Sequence, residues 1–277
     1  MGPSVEVEVV VIETAGDRAR DIPIHEMGGR GVFVKEVQAA VLDGRADIAV
    51  HSAKDLQSSP TPGLVIAAVP TREDPRDALV GATLDGLAVG ARVATGSVRR
   101  RAQVAAARPD LTFVGLRGNV DTRLRKAAEV GAIVVALAAL RRLGYEDRVA
   151  EPLSPSIVLP QVAQGALAVE CRSDDEEGRE RLAAIDHSPS RLAVEAERAF
   201  LAQLGSGCDL PVGALYADGR LTGMMATLDG RIVLRDSVEG DDPEALGREL
   251  AERLLVGAGG SALLEDIGAI RGAVPSA

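Results

Sequence analysis

Apolar residues recur with two different periods along the first part of the chain. Residues 5–13, VEVEVVVIE, alternate between apolar and polar positions and are rich in Val, which predicts a β-strand. In residues 28–44 a glycine turn precedes apolar residues at helical spacing, which predicts an amphipathic helix. Short apolar runs at 46–52 and 64–70 predict two more strands. This order of strand, helix and strand is typical of a parallel α/β sheet.

The pattern restarts after residues 71–79, a polar, proline-containing segment that we interpret as a chain crossing between two lobes. A second linker-like stretch, 159–165, leads into an apolar strand at 166–171. Between the two crossings lie three predicted strand-then-helix units: strand 92–94 with helix 98–108, strand 111–116 with helix 120–129, and strand 132–137 with helix 138–144.

The last third of the chain has the pattern of a separate α+β unit. Ser188 and Pro189 are start signals for a helix over 188–205. Strands are predicted at 212–217, 219–228 and 231–238, followed by two helices. The predicted fold class is therefore α/β, with two periplasmic-binding-protein-like α/β lobes around a cleft and a smaller C-terminal α+β domain. The expected bounds are 1–71 with 165–184 for the first lobe, 72–164 for the second, and 185–277 for the C-terminal domain.

Composition excludes several classes of protein. Aromatic residues make up 2% of the 277 residues and Trp is absent, so an aromatic stacking platform for nucleic acid is not expected. No apolar run approaches the roughly 20 residues of a membrane span, and the opening residues do not resemble a signal peptide. Two cysteines make no disulfide framework. We therefore expect a cytoplasmic protein with no nucleic-acid or membrane partner.

Charge is distributed unevenly along the chain. The formal net charge is −10, yet residues 92–148 hold 12 Lys and Arg against 5 Asp and Glu, a net of +7. Arginines stand at all three strand-to-helix junctions of this region: Arg99 and Arg100, Arg117 and Arg123, Arg141 and Arg142. Positive charge in the first turn of a helix is unfavourable unless an anion binds there. The alternatives are solvated helix faces or a site for a small, strongly anionic ligand, for which Thr95 and Ser97 supply hydroxyl groups.

A second polar cluster follows the strand at 46–52. His51, Ser52, Lys54 and Asp55 crowd its carboxyl end. Lys54 and Asp55 have two interpretations: a surface ion pair, or a cleft in which the aspartate stabilises a cation or moves a proton. The three histidines lack metal-ligand spacing, so we expect no metal, and the chain has no phosphate-binding or dinucleotide-binding glycine motif.

Cys208 lies in LGSGCDLPVG, residues 204–213, a glycine-flanked segment typical of a turn. The other cysteine, Cys171, lies in a predicted buried strand. From its surroundings alone, Cys208 is either an idle thiol or an attachment point.

Several blocks of sequence together resemble one family. GGRGVFVKE, ADIAVHSAKD, REDPRDA, TGSVRRRAQ, RPDL, LRGNVDTRL, AALRRLG, LPQVAQGALAVECR and GSGCDLPVG occur in the order and spacing of the porphobilinogen deaminase (hydroxymethylbilane synthase) family. The resemblance runs from about residue 14 to residue 215, and more weakly to the C-terminus. Because so many separate blocks match, the resemblance is highly specific.

The resemblance implies a function and a cofactor. That family condenses four porphobilinogen units head to tail, with loss of ammonia, and Cys208 matches the cysteine that holds a dipyrromethane cofactor through a thioether. A thiolate is a suitable nucleophile for such an attachment. The implied catalytic residue is Asp55. The implied cofactor-binding residues besides Cys208 are Ser52, Lys54, Thr95, Ser97, Arg99, Arg100, Arg117 and Gly118, and the implied substrate-binding residues are Arg123, Arg142, Arg30 and Lys35.

The chain also departs from the family's pattern. Gly96 stands where the family usually has serine, Ala163 where it has glycine, and Ala15 where it has arginine. The family's opening strand and helix are not found, so we expect an incomplete version of the enzyme. Alternatives are a truncated, inactive deaminase, a non-catalytic two-lobed binding module for a small polycarboxylate, and a thiol hydrolase that uses Cys208. We expect a monomer.

Overall fold

The structure, a computed structural model, describes residues 6–14, 34–205 and 210–265. The helices are α1 Lys35–Leu42, α2 Val98–Ala107, α3 Val120–Ala127, α4 Leu137–Arg142, α5 Glu176–Ala183, α6 Ser188–Gln203 and α7 Pro243–Glu252. The strands are β1 Ile48–Ser52, β2 Leu64–Ala68, β3 Asp77–Val80, β4 Arg92–Ala94, β5 Thr112–Val114, β6 Ala132–Ala136, β7 Glu151–Pro152, β8 Leu167–Arg172, β9 Val212–Ala217, β10 Arg220–Ala226 and β11 Val233–Glu239.

The first lobe is built on a three-stranded sheet in the order β1-β8-β2. β8 runs antiparallel to both neighbours, so β1 and β2 are parallel to each other but do not touch, which corrects the prediction of a purely parallel sheet. Helix α1 covers one face of the sheet, where Val41 packs with Ala49 and Leu64. On the other face of β1, Val50 is 58% exposed.

The strand predicted at 5–13 is wrong for the part of it that the structure describes. Residues 6–14 have no regular secondary structure, and Val7, Val9 and Val11 are 74%, 80% and 88% exposed. Alternation of apolar residues favours a strand only where a neighbouring strand pairs with it. Among the described residues, β1 pairs with β8 and with no part of 6–14.

The second lobe contains a five-stranded sheet in the order β5-β4-β6-β3-β7. β4 is parallel to β5 and β6, and helices α2, α3 and α4 follow these three strands, so the three predicted strand-then-helix units are confirmed. β3 is antiparallel to both of its neighbours. The first crossing is shorter than the predicted 71–79, because Asp77–Val80 is a fully buried strand that begins with a charged residue.

The C-terminal unit is an antiparallel meander, β9-β10-β11, covered on one face by α6 and α7. Its other face packs on the second lobe, where Met224 and Ala226 meet Ala102 of α2 and Leu159. At Gly230 a Cβ atom would lie 2.1 Å from the carbonyl oxygen of Ala102, so only glycine allows this approach. The mixed α/β architecture is the one expected, whereas the exact domain bounds stay a prediction.

A buried ion pair joins both chain crossings to α6. Arg72, in the first crossing, pairs through Nη1 with Oε1 of Glu197 at 2.6 Å and donates from Nη2 to Oε2 at 3.1 Å. Glu197 is fully buried on α6, and its Oε2 also accepts from the backbone N–H of Ala163 in the second crossing, at 2.6 Å. The Glu197 carboxylate therefore holds together both chain crossings, which carry part of the site.

In the described part of the chain, no helix is long and apolar enough to span a membrane.

Candidate active-site cleft

The end of β1 supplies the first group of site residues. After Ser52, a single 3₁₀ turn spans Ala53–Asp55 and carries Lys54 and Asp55. The Lys54 side chain is half-buried and its Nζ lies 3.5 Å from Oε1 of Gln164, while the Asp55 and Ser52 side chains are exposed. The backbone carbonyl of Lys54 accepts from Nε2 of Gln161 at 3.3 Å, so the second crossing holds this turn in place.

The start of α2 supplies the second group. Ser97 is the N-cap residue, and its Oγ accepts from the backbone N–H of Arg100 at 3.4 Å. Thr95 is buried, and its Oγ1 accepts from the backbone N–H of Ser97 at 3.2 Å. Gly96 lies between them, and a Cβ atom there would be 2.7 Å from the carbonyl oxygen of Leu116. The departure from serine at Gly96 therefore matches a local lack of space.

Arg99 and Arg100 are buried, with only 2% and 7% exposure, because both pair with Asp77 at the start of β3. Arg99 Nη1 lies 2.8 Å from Asp77 Oδ2, and Arg100 donates from Nε to Asp77 Oδ1 at 2.9 Å. The amide of Gln164 donates to the same Oδ1 at 2.8 Å. Sequence reasoning treated both arginines as open ligands for anions. It missed Asp77 and Gln164, since a contact over 22 or more residues leaves no local signal.

Arg99 and Arg100 differ in how many of their guanidinium N–H groups have acceptors within the protein. Arg100 donates from Nη1 to the carbonyl of Val134 at 3.3 Å and from Nη2 to Oε1 of Gln164 at 3.3 Å, so protein acceptors surround its guanidinium. In Arg99, Nη1 donates to the carbonyl of Leu159 at 2.6 Å, but Nε and Nη2 are buried without a hydrogen-bond partner among the described residues. These two N–H groups form the side of a guanidinium that binds a carboxylate with two parallel hydrogen bonds.

Arg99 lies against a narrow cavity, partly open to solvent, where all three units of the fold meet. The lining residues are Lys54 from the first lobe, Ser97 and Arg99 from the second, Gln161 and Val162 from the second crossing, and Leu201, Leu210 and Val212 from the C-terminal unit. The cavity is apolar on the C-terminal side and cationic on the side of the two lobes. It therefore suits a ligand with an apolar body and anionic substituents.

The junction between β5 and α3 adds further cations. Arg117 is half-buried, and Gly118 follows with a φ of +105°, a conformation that favours glycine. Arg123, on α3, donates from Nε to the carbonyl of Gly118 at 2.8 Å. Burial and the positive charges of Arg100 and Arg117 lower the pKa of Arg123, which shows that these cations lie close enough to repel one another. An anion placed among them would relieve that repulsion.

The remaining predicted residues lie outside this cluster or outside the described residues. Arg142 is exposed at the end of α4 and donates to the carbonyl of Gly165 at 2.8 Å. Lys35 is exposed at the first residue of α1. Arg30 and Cys208 lie outside the described residues, so their assignments stay predictions.

The electrostatic surroundings of Lys54 and Asp55 move both groups toward neutrality. Burial lowers the pKa of Lys54 to about 8; Asp55 opposes this shift, and Arg100 adds to it. The carboxyl of Asp55 is reached by solvent, but it lies in a cleft with protein on most sides. This desolvation raises the pKa of Asp55 against the opposing charges of Lys54, His51 and Arg123. Shifted acids and bases in a cleft are typical of a catalytic site.

Comparison with known proteins identifies the family. Residues 2–180 match the family model described as "Porphobilinogen deaminase, dipyromethane cofactor binding domain", and residues 191–256 match "Porphobilinogen deaminase, C-terminal domain". The porphobilinogen deaminase of Roseiflexus sp. (strain RS-1) is 50% identical over 273 residues, covering 95% of this chain and 89% of the relative. That of Brevibacillus brevis is 46% identical over 273 residues, covering 95% of this chain and 88% of the relative.

Comparison of the fold with solved structures is less informative. An ABC transporter protein from Parabacteroides distasonis aligns with a TM-score of 0.35 and 18% identity, covering 61% of this chain and 60% of that one. The substrate-binding protein AbpA from Streptococcus pneumoniae aligns with a TM-score of 0.26 and 19% identity, over 61% of this chain and 68% of that one. Neither alignment is close enough to support an argument. The sequence matches, which span both halves of the chain, show that the chain belongs to the porphobilinogen deaminase family.

Proposed function

We propose that this chain condenses four porphobilinogen molecules head to tail into hydroxymethylbilane and releases one ammonia per unit, as a step of tetrapyrrole biosynthesis. The observation that carries the proposal is that Arg99, which lines the cavity together with Lys54, keeps Nε and Nη2 buried without a hydrogen-bond partner among the described residues. Each pyrrole of this substrate carries an acetate and a propionate, so the growing chain is a polyanion. A cation-lined cleft in a protein of net charge −10 matches such a ligand.

The proposal includes a dipyrromethane cofactor bound covalently through Cys208. Leu210, two residues after Cys208 in the sequence, lines the cavity together with Arg99 and Lys54, which supports this attachment point. The cofactor's carboxylates fit the donors present: the side edge of Arg99, the Lys54 ammonium and the Ser97 hydroxyl. When bound, the group supplies the pyrrole to which the first substrate unit is added. Ser52, Thr95, Arg117 and Gly118 complete the proposed cofactor site, and Arg100 takes part through its contacts to Asp77 and Gln164.

Asp55 is the proposed catalytic residue. Its carboxylate would stabilise the positive charge that develops on the substrate pyrrole as ammonia leaves, because opposite charges interact strongly in a cleft with little bulk water. The charges of Lys54 and Arg123 favour the ionised form of the same carboxyl and oppose the desolvation that raises its pKa. Arg123, Arg142, Arg30 and Lys35 are the proposed partners of the substrate carboxylates. A cytoplasmic, monomeric enzyme completes the proposal.

Intact mass followed by incubation with porphobilinogen tests this function. The wild-type protein should carry a covalent increment of two pyrrole units and release a linear tetrapyrrole. Cys208→Ser should carry no increment and show negligible turnover, whereas the matched control Cys171→Ser should behave as wild type. Cys171 is buried in β8 and lines no part of the cavity. An unmodified wild-type thiol, with porphobilinogen bound but not converted, would instead favour the non-catalytic polycarboxylate-binding module.

A further inference from the structure

Asp77 accepts more contacts than the neutralisation of one arginine requires. It is fully buried, and its two oxygens contact Arg99, Arg100 and the amide of Gln164. Burial alone would raise the pKa of this carboxyl, but the charges of Arg100 and Arg99 hold the pKa below its usual range. The two arginines therefore favour the ionised form of Asp77, which is not among the residues that line the cavity.

The contacts around Asp77 determine which edge of Arg99 keeps its donors without a protein acceptor among the described residues. Asp77 Oδ2 and the carbonyl of Leu159 lie 2.8 and 2.6 Å from Nη1 of Arg99. These two contacts at Nη1 restrict rotation of the guanidinium, and Nε and Nη2 are left as a buried pair of donors without a hydrogen-bond partner among the described residues. A planar guanidinium binds a carboxylate best through two parallel bonds from such a pair.

Arg100 and Gln164 complete a rigid frame. Arg100 uses Nε and Nη2 on Asp77 Oδ1, at 2.9 and 2.8 Å, so the edge that Arg99 keeps open is closed in Arg100. Gln164 donates to Asp77 Oδ1, and its own Oε1 accepts from Arg100 at 3.3 Å and lies 3.5 Å from Nζ of Lys54. The carboxylate thereby links the orientation of Arg99 to the position of Lys54.

We infer that Asp77 is a positioning residue for ligand carboxylates: it fixes Arg99 so that Nε and Nη2 face the cavity, and through Gln164 it aligns Lys54 with them. This inference rests on the proposed function for the identity of the ligand. It adds an asymmetry between neighbouring arginines, with Arg99 as the donor to the ligand and Arg100 as part of the frame. Groups held in this way lose binding or turnover when they move by about 1 Å, often by around 10²-fold.

Binding of porphobilinogen itself provides the first test, because it needs neither turnover nor an attached cofactor. Calorimetry in a Cys208→Ser background gives the dissociation constant for the parent, Asp77→Asn, Arg99→Met and the double variant. Asp77→Asn and Arg99→Met should each weaken binding by at least about 10-fold, and the double variant should bind no more weakly than Arg99→Met alone. Additive losses would show that Asp77 acts independently of Arg99 and would overturn the inference, as would the absence of binding by the parent.

A control separates positioning from general loss of stability. Asp186→Asn removes another carboxylate that accepts from an arginine Nε, that of Arg191 at 2.8 Å, and from the backbone N–H of Val69 at 2.7 Å. Asp186 lines no part of the cavity, so this variant should lose stability to urea but keep its affinity for porphobilinogen. A comparable loss of affinity in Asp186→Asn would mean that Asp77 acts through stability alone.

A second variant covers the case in which Asp77→Asn does not fold, because it leaves two buried arginines without their anion. Asp77→Asn with Arg100→Met removes one cation together with the carboxylate. If Asp77 positions Arg99, affinity remains at least about 10-fold below the parent; if Asp77 only balances the charge of Arg100, affinity returns to that of the parent and the inference fails. In proteins that retain Cys208, the fraction that carries the two-pyrrole mass increment should be lower in Asp77→Asn and in Arg99→Met than in the wild type. Loss of that increment in the wild type would contradict the proposed function without affecting the binding comparison.

Discussion

Gly165, in the second crossing, has no room for a side chain. Its φ is +86°, and a Cβ atom would lie 2.3 Å from the carbonyl oxygen of Glu73 and 3.2 Å from that of Asp74 in the first crossing. Its own carbonyl accepts from the backbone N–H of Glu73 at 3.1 Å and from Arg142 Nη2 at 2.8 Å. Gly165→Ala therefore pushes apart the two chain segments that connect the lobes.

The size of the effect follows from a comparison with Gly144. Gly144 has a φ of +76°, but a Cβ atom there would meet nothing within 4 Å, so Gly144→Ala costs conformational strain alone, about 1 kcal/mol. Gly165→Ala has the same strain. The steric overlap adds about 1–3 kcal/mol, and the weakening of two hydrogen bonds about 0.5–1.5 kcal/mol each, so the total is about 3–7 kcal/mol.

Urea unfolding followed by far-UV circular dichroism measures both variants, since the chain contains no Trp. If the slope of the unfolding free energy against urea concentration is the same in both variants, the urea midpoint of Gly165→Ala should fall several times further than that of Gly144→Ala. Equal shifts would refute the argument, because they would mean that the two crossings separate freely and that their close approach does not stabilise the fold. Gly165→Ala should also slow attachment of the cofactor, since the neighbouring Gln164 contacts Asp77 and Arg100.

Three further predictions follow from single contacts. Lys54, whose pKa is about 8, loses its charge as pH rises through that value, so kcat/KM should fall above pH 8 in the wild type. In Lys54→Arg, which stays charged, this decline should disappear, and an unchanged pH profile would exclude Lys54 as its source. Glu197→Gln breaks the buried pair with Arg72 and should cost about 3–5 kcal/mol of unfolding free energy, whereas Glu195→Gln, on the exposed side of α6, should cost less than about 0.5 kcal/mol. Asp242 caps α7, and its Oδ1 accepts from the backbone N–H groups of Glu244 and Ala245. Asp242→Ala should therefore lower the melting temperature through a loss of about 0.5–2 kcal/mol of unfolding free energy, while Asp241→Ala should leave it unchanged.

The strands and helices of the second lobe can be predicted because the sequence pattern of each segment agrees with the structure that the segment forms. Each of β4, β5 and β6 is a short strand with apolar residues, and each precedes a helix that carries arginines. The meander of the C-terminal unit was predictable for a similar reason: Asp218 and Gly219, both with positive φ, form the tight turn between β9 and β10. In such segments the chemistry of neighbouring residues already determines the structure.

Elsewhere the outcome depends on contacts that the local sequence does not encode. Residues 6–14 have the alternation of a strand but no pairing partner among the described residues, and alternation without a partner does not form a sheet. β3 was mistaken for part of a crossing because it begins with a charged residue, Asp77. That charge is tolerated in a buried strand only because Arg99 and Arg100 approach it from α2.

The arrangement of the cleft was predictable only in part for the same reason. Strand-to-helix junctions in register predict a cationic site, and three of the predicted residues, Lys54, Ser97 and Arg99, line one cavity. The sequence did not show that Arg100 is closed off by Asp77 and Gln164, because these three residues come from β3, α2 and the second crossing. The division of roles between two adjacent arginines arises only when the three segments assemble.

This arrangement also explains how a strongly cationic cavity persists in an acidic protein. Asp77 is the buried anion that pairs with both Arg99 and Arg100, and it acts on Lys54 together with Asp55. Full neutralisation by a second buried carboxylate would stabilise the fold but would occupy the donors of Arg99. Without Asp77, three cations would repel one another in a desolvated space. One buried carboxylate between Arg99 and Arg100 therefore lets the fold tolerate their charge, while the open edge of Arg99 still attracts an anionic ligand.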